Sequence, residues 1–334
     1  MNHFSPDSCY QDLFKQKPLL SYETEGKDPD YKQKLAKKLQ EVLGEMPCKV
    51  ELDPVTEYIK EHKSYIEKRM TFVTEKDMRV PCHFLIPKKA EGPLPAVICL
   101  QGHSKGMYLS LGKYKRLKDI KSIRLGDRDF GLQAVKQGYC ALVMEQRGLG
   151  ERESERSRDM SKRCVFPSMN ALLFRRTMIG LHVWDVMRAI DFLETLPEVD
   201  NTKIACLGTS GGGTVTYYAA CMDNRIKIAM PSCSVCTYKD SIGKVYHCCC
   251  NYLPCSAKYF DMGDLGALIA PRSLIVVAGK KDPIFPIEGV RKCYDTIADI
   301  YAKEGGECAL VLGEGGHRFY AAPAWRAFQK VVKR

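Results

Sequence analysis

One pentapeptide constrains this chain more than any other feature: Gly208-Thr209-Ser210-Gly211-Gly212. It follows Lys203–Leu207, an apolar run of strand length, and precedes Gly213–Ala220, which reads as a helix. A strand, G-x-S-x-G and a helix in succession form the sharp turn that lifts a serine above the C-terminal edge of a sheet. The turn forces Ser210 into a strained backbone conformation, and the flanking glycines let strand and helix approach. A helix N-terminus beside the hydroxyl favours developing negative charge.

A serine placed this way needs a base and an acid, expected in the chain order Ser, Asp or Glu, His. Of the seven histidines only His247 and His317 follow Ser210. Ser273–Gly279 is an apolar strand-like run, and Asp282 stands in the loop after it. Cys308–Leu312 is another, followed by the flexible loop Gly313-Glu314-Gly315-Gly316-His317. Ser210, Asp282 and His317 therefore each sit after their own strand, in the right order. His317 is expected to take the proton of Ser210, and Asp282 to hold the imidazole tautomer. The oxyanion of the tetrahedral intermediate needs preorganised N–H donors. The expected pair is the backbone N–H of Gly211 and that of His103, in the loop Gln101-Gly102-His103 after the strand Ala96–Leu100.

From about Tyr65 onward the chain resembles an α/β-hydrolase of the dienelactone hydrolase and acetyl xylan esterase type. The resemblance is carried by Gln101-Gly102-His103, Glu145-Gln146-Arg147-Gly148-Leu149-Gly150-Glu151, the Ser210 elbow, Ala270-Pro271-Arg272, Asp282 and His317. It implies a carboxylic ester hydrolase acting on small acyl esters, often acetyl groups on sugars. Glu145 stands where such relatives usually carry Asp, and Gln101 where they usually carry His. Both, with Arg147, are expected at the rim of the acyl site. The resemblance also matches a His-x-Cys-x-Asn-Tyr-like element to His247–Tyr252, so Tyr246, His247, Asn251 and Tyr252 are expected to wall the pocket.

Alternating strands and helices predict an α/β fold with a mostly parallel central sheet and helices on both faces. Residues 1–64 are polar and lysine-rich; Tyr31–Leu43 reads as an amphipathic helix with Leu35, Leu39, Val42 and Leu43 on one face. They are expected to form a helical extension on a catalytic domain spanning 65–334. Glu67–Thr74 and Val80–Ile86 read as an antiparallel pair, Asp127–Gln137 and Leu172–Leu196 as helices, and Cys140–Glu145 as a strand. Insertions are expected at about 104–126, 151–169 and 232–264, the last two roofing the pocket against long acyl chains.

The last insertion carries Cys233, Cys236, His247, Cys248, Cys249, Cys250 and Cys255. Cys233-x-x-Cys236 with a later Cys and His can ligate zinc. No second C-x-x-C follows at finger spacing, however, and three adjacent cysteines cannot all face one metal. The segment is read as pocket wall, with metal binding and redox chemistry as alternatives. The expected enzyme needs no metal or other cofactor, and chelation is expected to leave hydrolysis unchanged.

The 16 cysteines and the absence of a basic-then-apolar leader pattern at Met1–Asp7 point to a reducing, cytoplasmic setting. No apolar run is long enough to span a membrane. The net charge of +11 comes with no basic–aromatic nucleic-acid signature. Its one dense cluster, Lys105 to Arg124, is expected near the mouth of the site and reads as a solvated loop, with attraction of anionic substrates as the alternative. The expected partner is a small-molecule or saccharide ester, not nucleic acid or membrane, and self-association is left open. Two other functions stay in view. A serine peptidase of the oligopeptidase kind shares the elbow, but the extension is too short for a propeller. A non-catalytic or metal-binding hydrolase scaffold would not need the ordered Ser, Asp and His.

Overall fold

In the computed structural model, which describes residues 4–88, 92–157 and 164–332, nine strands make one sheet in the order β1-β2-β3-β5-β4-β6-β7-β8-β9. The strands are β1 (Val55–Glu61), β2 (Tyr65–Glu75), β3 (Met78–Pro87), β4 (Leu94–Leu100), β5 (Cys140–Met144), β6 (Val199–Thr209), β7 (Ile226–Ser232), β8 (Ser273–Gly279) and β9 (Cys308–Gly313). β1 to β3 pair antiparallel, as do β3 and β5; every later pair is parallel. The expected α/β-hydrolase sheet is present. Its parallel strands are short apolar runs because helices cover both faces: β4 buries Ala96 to Leu100, and β5 all five of its residues.

Two buried clusters lie on opposite faces of the sheet. Ile98, Leu100, Leu142 and Cys206 point into one, with the helices Met178–Leu193 and Gly211–Met222. Val97, Cys99, Val143 and Leu207 point into the other, with Phe130 and the helix Ala321–Val332. The period of two along each strand produces this division. Register aligns the ends: Leu100 pairs with Gly208, Thr209 with Ser232, and Gly279 with Gly313. The loops after β4, β6, β8 and β9 thus leave one edge together.

Two expectations change. The N-terminal region does contain the helix Tyr31–Leu43, with Leu35, Leu39, Val42 and Leu43 buried. But residues 55–61 are a strand hydrogen-bonded to β2, so a boundary at 64 falls between paired strands. The long helix expected over 172–196 is two helices, Val165–Leu173 and Met178–Leu193. Arg175 turns the chain at φ 54°, and Thr177 caps the second helix by accepting the Gly180 N–H at 2.9 Å. The first of these helices begins inside the expected irregular segment 151–169, of which 158–163 lie outside the described residues. Among the described residues no helix is long and apolar enough to cross a membrane.

Candidate active site

Ser210 follows the last residue of β6 and precedes the first of the helix Gly211–Met222. Its backbone stands at φ 53°, ψ −124°, a conformation that costs on the order of 1–3 kcal/mol for a non-glycine residue. The turn is held by the Ser210 N–H, which donates to the Ser232 carbonyl of β7 at 2.8 Å. A side chain on Gly208 would collide with the Gly212 carbonyl, and one on Gly212 with the carbonyls of Leu100 and Gln101. The glycines are therefore required by close backbone approach at the elbow.

Asp282 and His317, in the loops after β8 and β9, meet through a 2.8 Å hydrogen bond between Oδ2 and Nδ1. The carboxylate accepts, so Nδ1 carries the proton and the Nε2 lone pair is left for another partner. Oδ1 accepts the backbone N–H groups of Ile284 and Phe285 at 2.9 and 3.2 Å. Burial alone raises the Asp282 carboxyl, but the His317 bond and charge and these two amides outweigh it, and its pKa is lowered. Phe285 stacks on the His317 ring. The Cys233 thiol shares this corner and donates to the Arg318 carbonyl at 3.1 Å. Burial, with Asp282 beside it, pushes that thiol up to about 12, so it stays protonated at neutral pH.

His247, the other histidine after Ser210, has a different place. Its Nε2 bonds the Ser241 hydroxyl, which itself donates to the Ile284 carbonyl. Its ring meets Phe285 edge-on at 5.1 Å. It braces the Asp282 loop from behind. Tyr246 is 70% exposed, and the Tyr252 hydroxyl is tied to the Ile242 carbonyl. The Cys233-x-x-Cys236 pair splits, with Cys236 packed beside Phe285 and Val290.

The loop after β4 crosses the elbow closely: a Cβ on Gly102 would lie 3.0 Å from the Thr209 carbonyl and 3.2 Å from Ser210 Cβ. The backbone nitrogen of His103 is 3.7 Å from where a Cβ on Gly211 would stand. The backbone of residue 103 thus lies close beside that of residue 211 at the serine turn.

Gln101 and Glu145 lie behind this loop rather than at its rim. Both are buried. The Gln101 amide donates to Glu145, and the Gln146 amide to the Gln101 carbonyl. Glu145 also accepts the Met107 N–H at 3.1 Å and the Glu151 N–H at 3.3 Å. Arg147 is likewise committed elsewhere: its guanidinium binds Asp185 and Glu75. Arg152 binds the same Asp185, and His182 bonds the Arg147 carbonyl at 2.8 Å. The pocket role expected of these side chains gives way to support of the loops carrying the site. The charge cluster after the β4 loop is partly committed too, since Lys113 pairs with Glu67 at 2.6 Å. Ser241, which positions the site from behind, carried no motif, and the motif that contains Gln146 did not reveal its bond to the Gln101 carbonyl.

Burial raises the Glu145 carboxyl from an ordinary 4.5 to about 7, against the pull of the Met107 and Glu151 amides. The folded state thus holds this proton more tightly than the unfolded chain. The resulting stability is fully present below about 4.5 and is lost as pH rises through about 7. It amounts to about 3 kcal/mol. Urea unfolding from pH 5 to 8 should show a decline of this sign, flattened in Glu145→Gln. A slope unchanged by that substitution would contradict the assignment.

Residues 122–247 match the family model for acetyl xylan esterase (AXE1). The "Putative hydrolase YtaP" of Bacillus subtilis (strain 168) is 28% identical over 295 residues, covering 86% of this chain and 93% of that protein. Among solved structures, a "putative acetyl xylan esterase" from Bacteroides fragilis NCTC 9343 superposes with TM-score 0.76 at 17% identity, covering 97% of this chain and 88% of that one. A glucuronoyl esterase from Solibacter usitatus gives 0.70 at 14% identity, covering 92% and 93%. At these identities the structural likenesses establish the fold.

Proposed function

We propose that this carboxylic ester hydrolase is a serine carbohydrate esterase, cleaving short acyl esters of a sugar through Ser210, His317 and Asp282. The observation that carries the reading is the strained Ser210 elbow on the same sheet edge as the hydrogen-bonded His317–Asp282 pair. Ser210 Oγ attacks the acyl carbon while its proton passes to His317 Nε2. The carbonyl oxygen becomes an oxyanion facing the N–H groups of Gly211 and His103. Collapse breaks the ester C–O bond, and His317 returns the proton to the departing alcohol. Water then repeats the sequence on the acyl-enzyme and releases the acid. Asp282, kept ionised by its three hydrogen bonds, holds the tautomer and stabilises the imidazolium.

The acetyl xylan esterase match and the surroundings of the loop after β4 support a small acyl group and a polar alcohol. A cavity of about 210 Å³ adjoins this loop, lined by His103, Ser104, Lys105, Gly148, Leu149 and Glu153 among others. The helix Val165–Leu173 packs against Cys249–Asn251, so the second and third insertions touch. Measured as kcat/KM across aryl esters from acetyl to dodecanoyl, activity should peak between acetyl and butyryl. Acetylated sugars should be turned over and peptidyl amides should not. A maximum at octanoyl or beyond would replace this reading with a lipase or long-chain thioesterase, and amide turnover would replace it with a peptidase.

A further inference from the structure

The cysteines that sequence reading assigned to a pocket wall converge on the loop after β4. We propose that His103, Cys164, Cys248 and Cys250 form a structural zinc site that ties this loop to the second and third insertions. One ligand atom from each of the four residues lies within 4.8 Å of all the others. A tetrahedral ion with Zn–S near 2.3 Å and Zn–N near 2.0 Å needs ligand atoms roughly 3.5–3.8 Å apart. Three sulfurs and one imidazole are the soft, closed donor set of a structural zinc centre, with no position left for substrate.

The local backbone explains how adjacent cysteines contribute. Cys248 precedes the turn Cys249–Asn251 and Cys250 lies within it, and both face the cluster. Cys249 turns aside, its sulfur 3.8 Å from the Cys164 carbonyl. Three adjacent cysteines thus supply two ligands. Cys164 comes from the start of the helix Val165–Leu173. Met178 packs with Cys164 and Cys250 and gives the cluster an apolar wall. The sulfurs of Cys164 and Cys248 are in bonding contact, yet their Cα atoms stand 7.6 Å apart. Disulfides usually span about 4.4–6.8 Å between Cα atoms. An ion between two thiolates accommodates the wider separation.

Binding involves no redox step. Zinc replaces the three thiol protons, which pass to solvent, and the neutral imidazole donates its lone pair. The consequence for the reaction is indirect. His103 would hold the ion by its ring, and its backbone nitrogen lies close beside Gly211, the residue after Ser210. The ion would then fix the position of that nitrogen without touching substrate. This replaces the expectation that chelation leaves hydrolysis unchanged.

The test is metal analysis of the full chain, purified under reducing conditions after growth with zinc, together with alkylation counting of its thiols. One zinc per chain is expected. Cobalt in its place should give the intense near-ultraviolet band of thiolate-to-metal charge transfer. Cys164→Ser and Cys250→Ser should each lose the zinc, whereas Cys255→Ser, an exposed cysteine outside the cluster, should keep it. Removing zinc from the native chain should lower kcat on an acetyl ester by about 10- to 100-fold, with KM little changed. A chain free of metal would overturn the proposal, and protection of Cys164 and Cys248 from alkylation in chain purified without reductant would assign a disulfide instead. Full zinc retention in both ligand variants would also overturn it. Zinc content is read without turnover, so a failure of the esterase reading is distinguishable from a failure of the zinc site.

Discussion

Ser210→Ala is expected to abolish labelling by a fluorophosphonate and to lower kcat on an acetyl ester by about 10⁵- to 10⁶-fold. A neutral alcohol is a poor nucleophile, and its activation depends on handing its proton to a base at the moment of attack. Alanine removes the only atom that can form the acyl-enzyme. What remains is binding and the oxyanion donors proposed at Gly211 and His103, which would still polarise an ester toward water. The fold should survive, because the elbow is held by the Ser210 backbone N–H and by close glycine contacts, none of which involve the hydroxyl. A circular dichroism spectrum matching the parent would establish that. If the alanine variant is still labelled, the nucleophile lies elsewhere.

Asp282→Asn should cost about 10⁴-fold in kcat with KM little affected. The asparagine side chain is close in size and can still accept the Ile284 and Phe285 amides, so the loop should keep its shape. What changes is the partner of His317 Nδ1. A carboxylate only accepts, and so forces the proton onto Nδ1. An amide can turn its NH₂ toward the ring, which places the proton on Nε2 and leaves no base facing Ser210. The imidazolium formed during attack also loses its counter-charge. The fluorophosphonate reaction should slow in parallel, since it uses the same proton transfer. A loss of less than tenfold would mean that Asp282 shapes the loop without orienting His317.

The elements legible in the sequence were those with a strong local cause. The buried strand Ser273–Gly279 was bounded to the residue because a purely apolar run ends abruptly at Gly279-Lys280. The Ser210 turn was legible from its glycines, and the contact between Asp282 and His317 from chain order and strand ends. β1 was missed because all seven of its residues are exposed; backbone pairing alone makes it a strand and leaves no alternation to read. The break at Arg175 was missed although Thr177 is an ordinary capping residue, since apolar residues continue on both sides of it. The roles of Glu145 and Arg147 were misjudged for a deeper reason. Their partners, Gln101, Met107, Glu75 and Asp185, lie dozens of residues away, and nothing local distinguishes a buried charged residue from a solvated one. The cysteines were hardest. Whether Cys248, Cys249 or Cys250 faces Cys164 depends on a single short turn, and Cys164 belongs to another insertion.

β1 has an effect on the outside world that its neighbours do not share. It is the last strand on its side of the sheet, and its free rim of N–H and C=O groups would ordinarily invite another strand to dock. Several devices discourage that. The pairing with β2 slips between Thr56 and Tyr58, so the rim is bent and its hydrogen-bonding groups fall out of line. Glu57, Lys60 and Glu61 put charged side chains along it, which an incoming apolar strand would have to desolvate. Glu57 and Glu61 are further anchored to Arg69 and Lys88. These features would disfavour the addition of a further strand at this edge of the sheet.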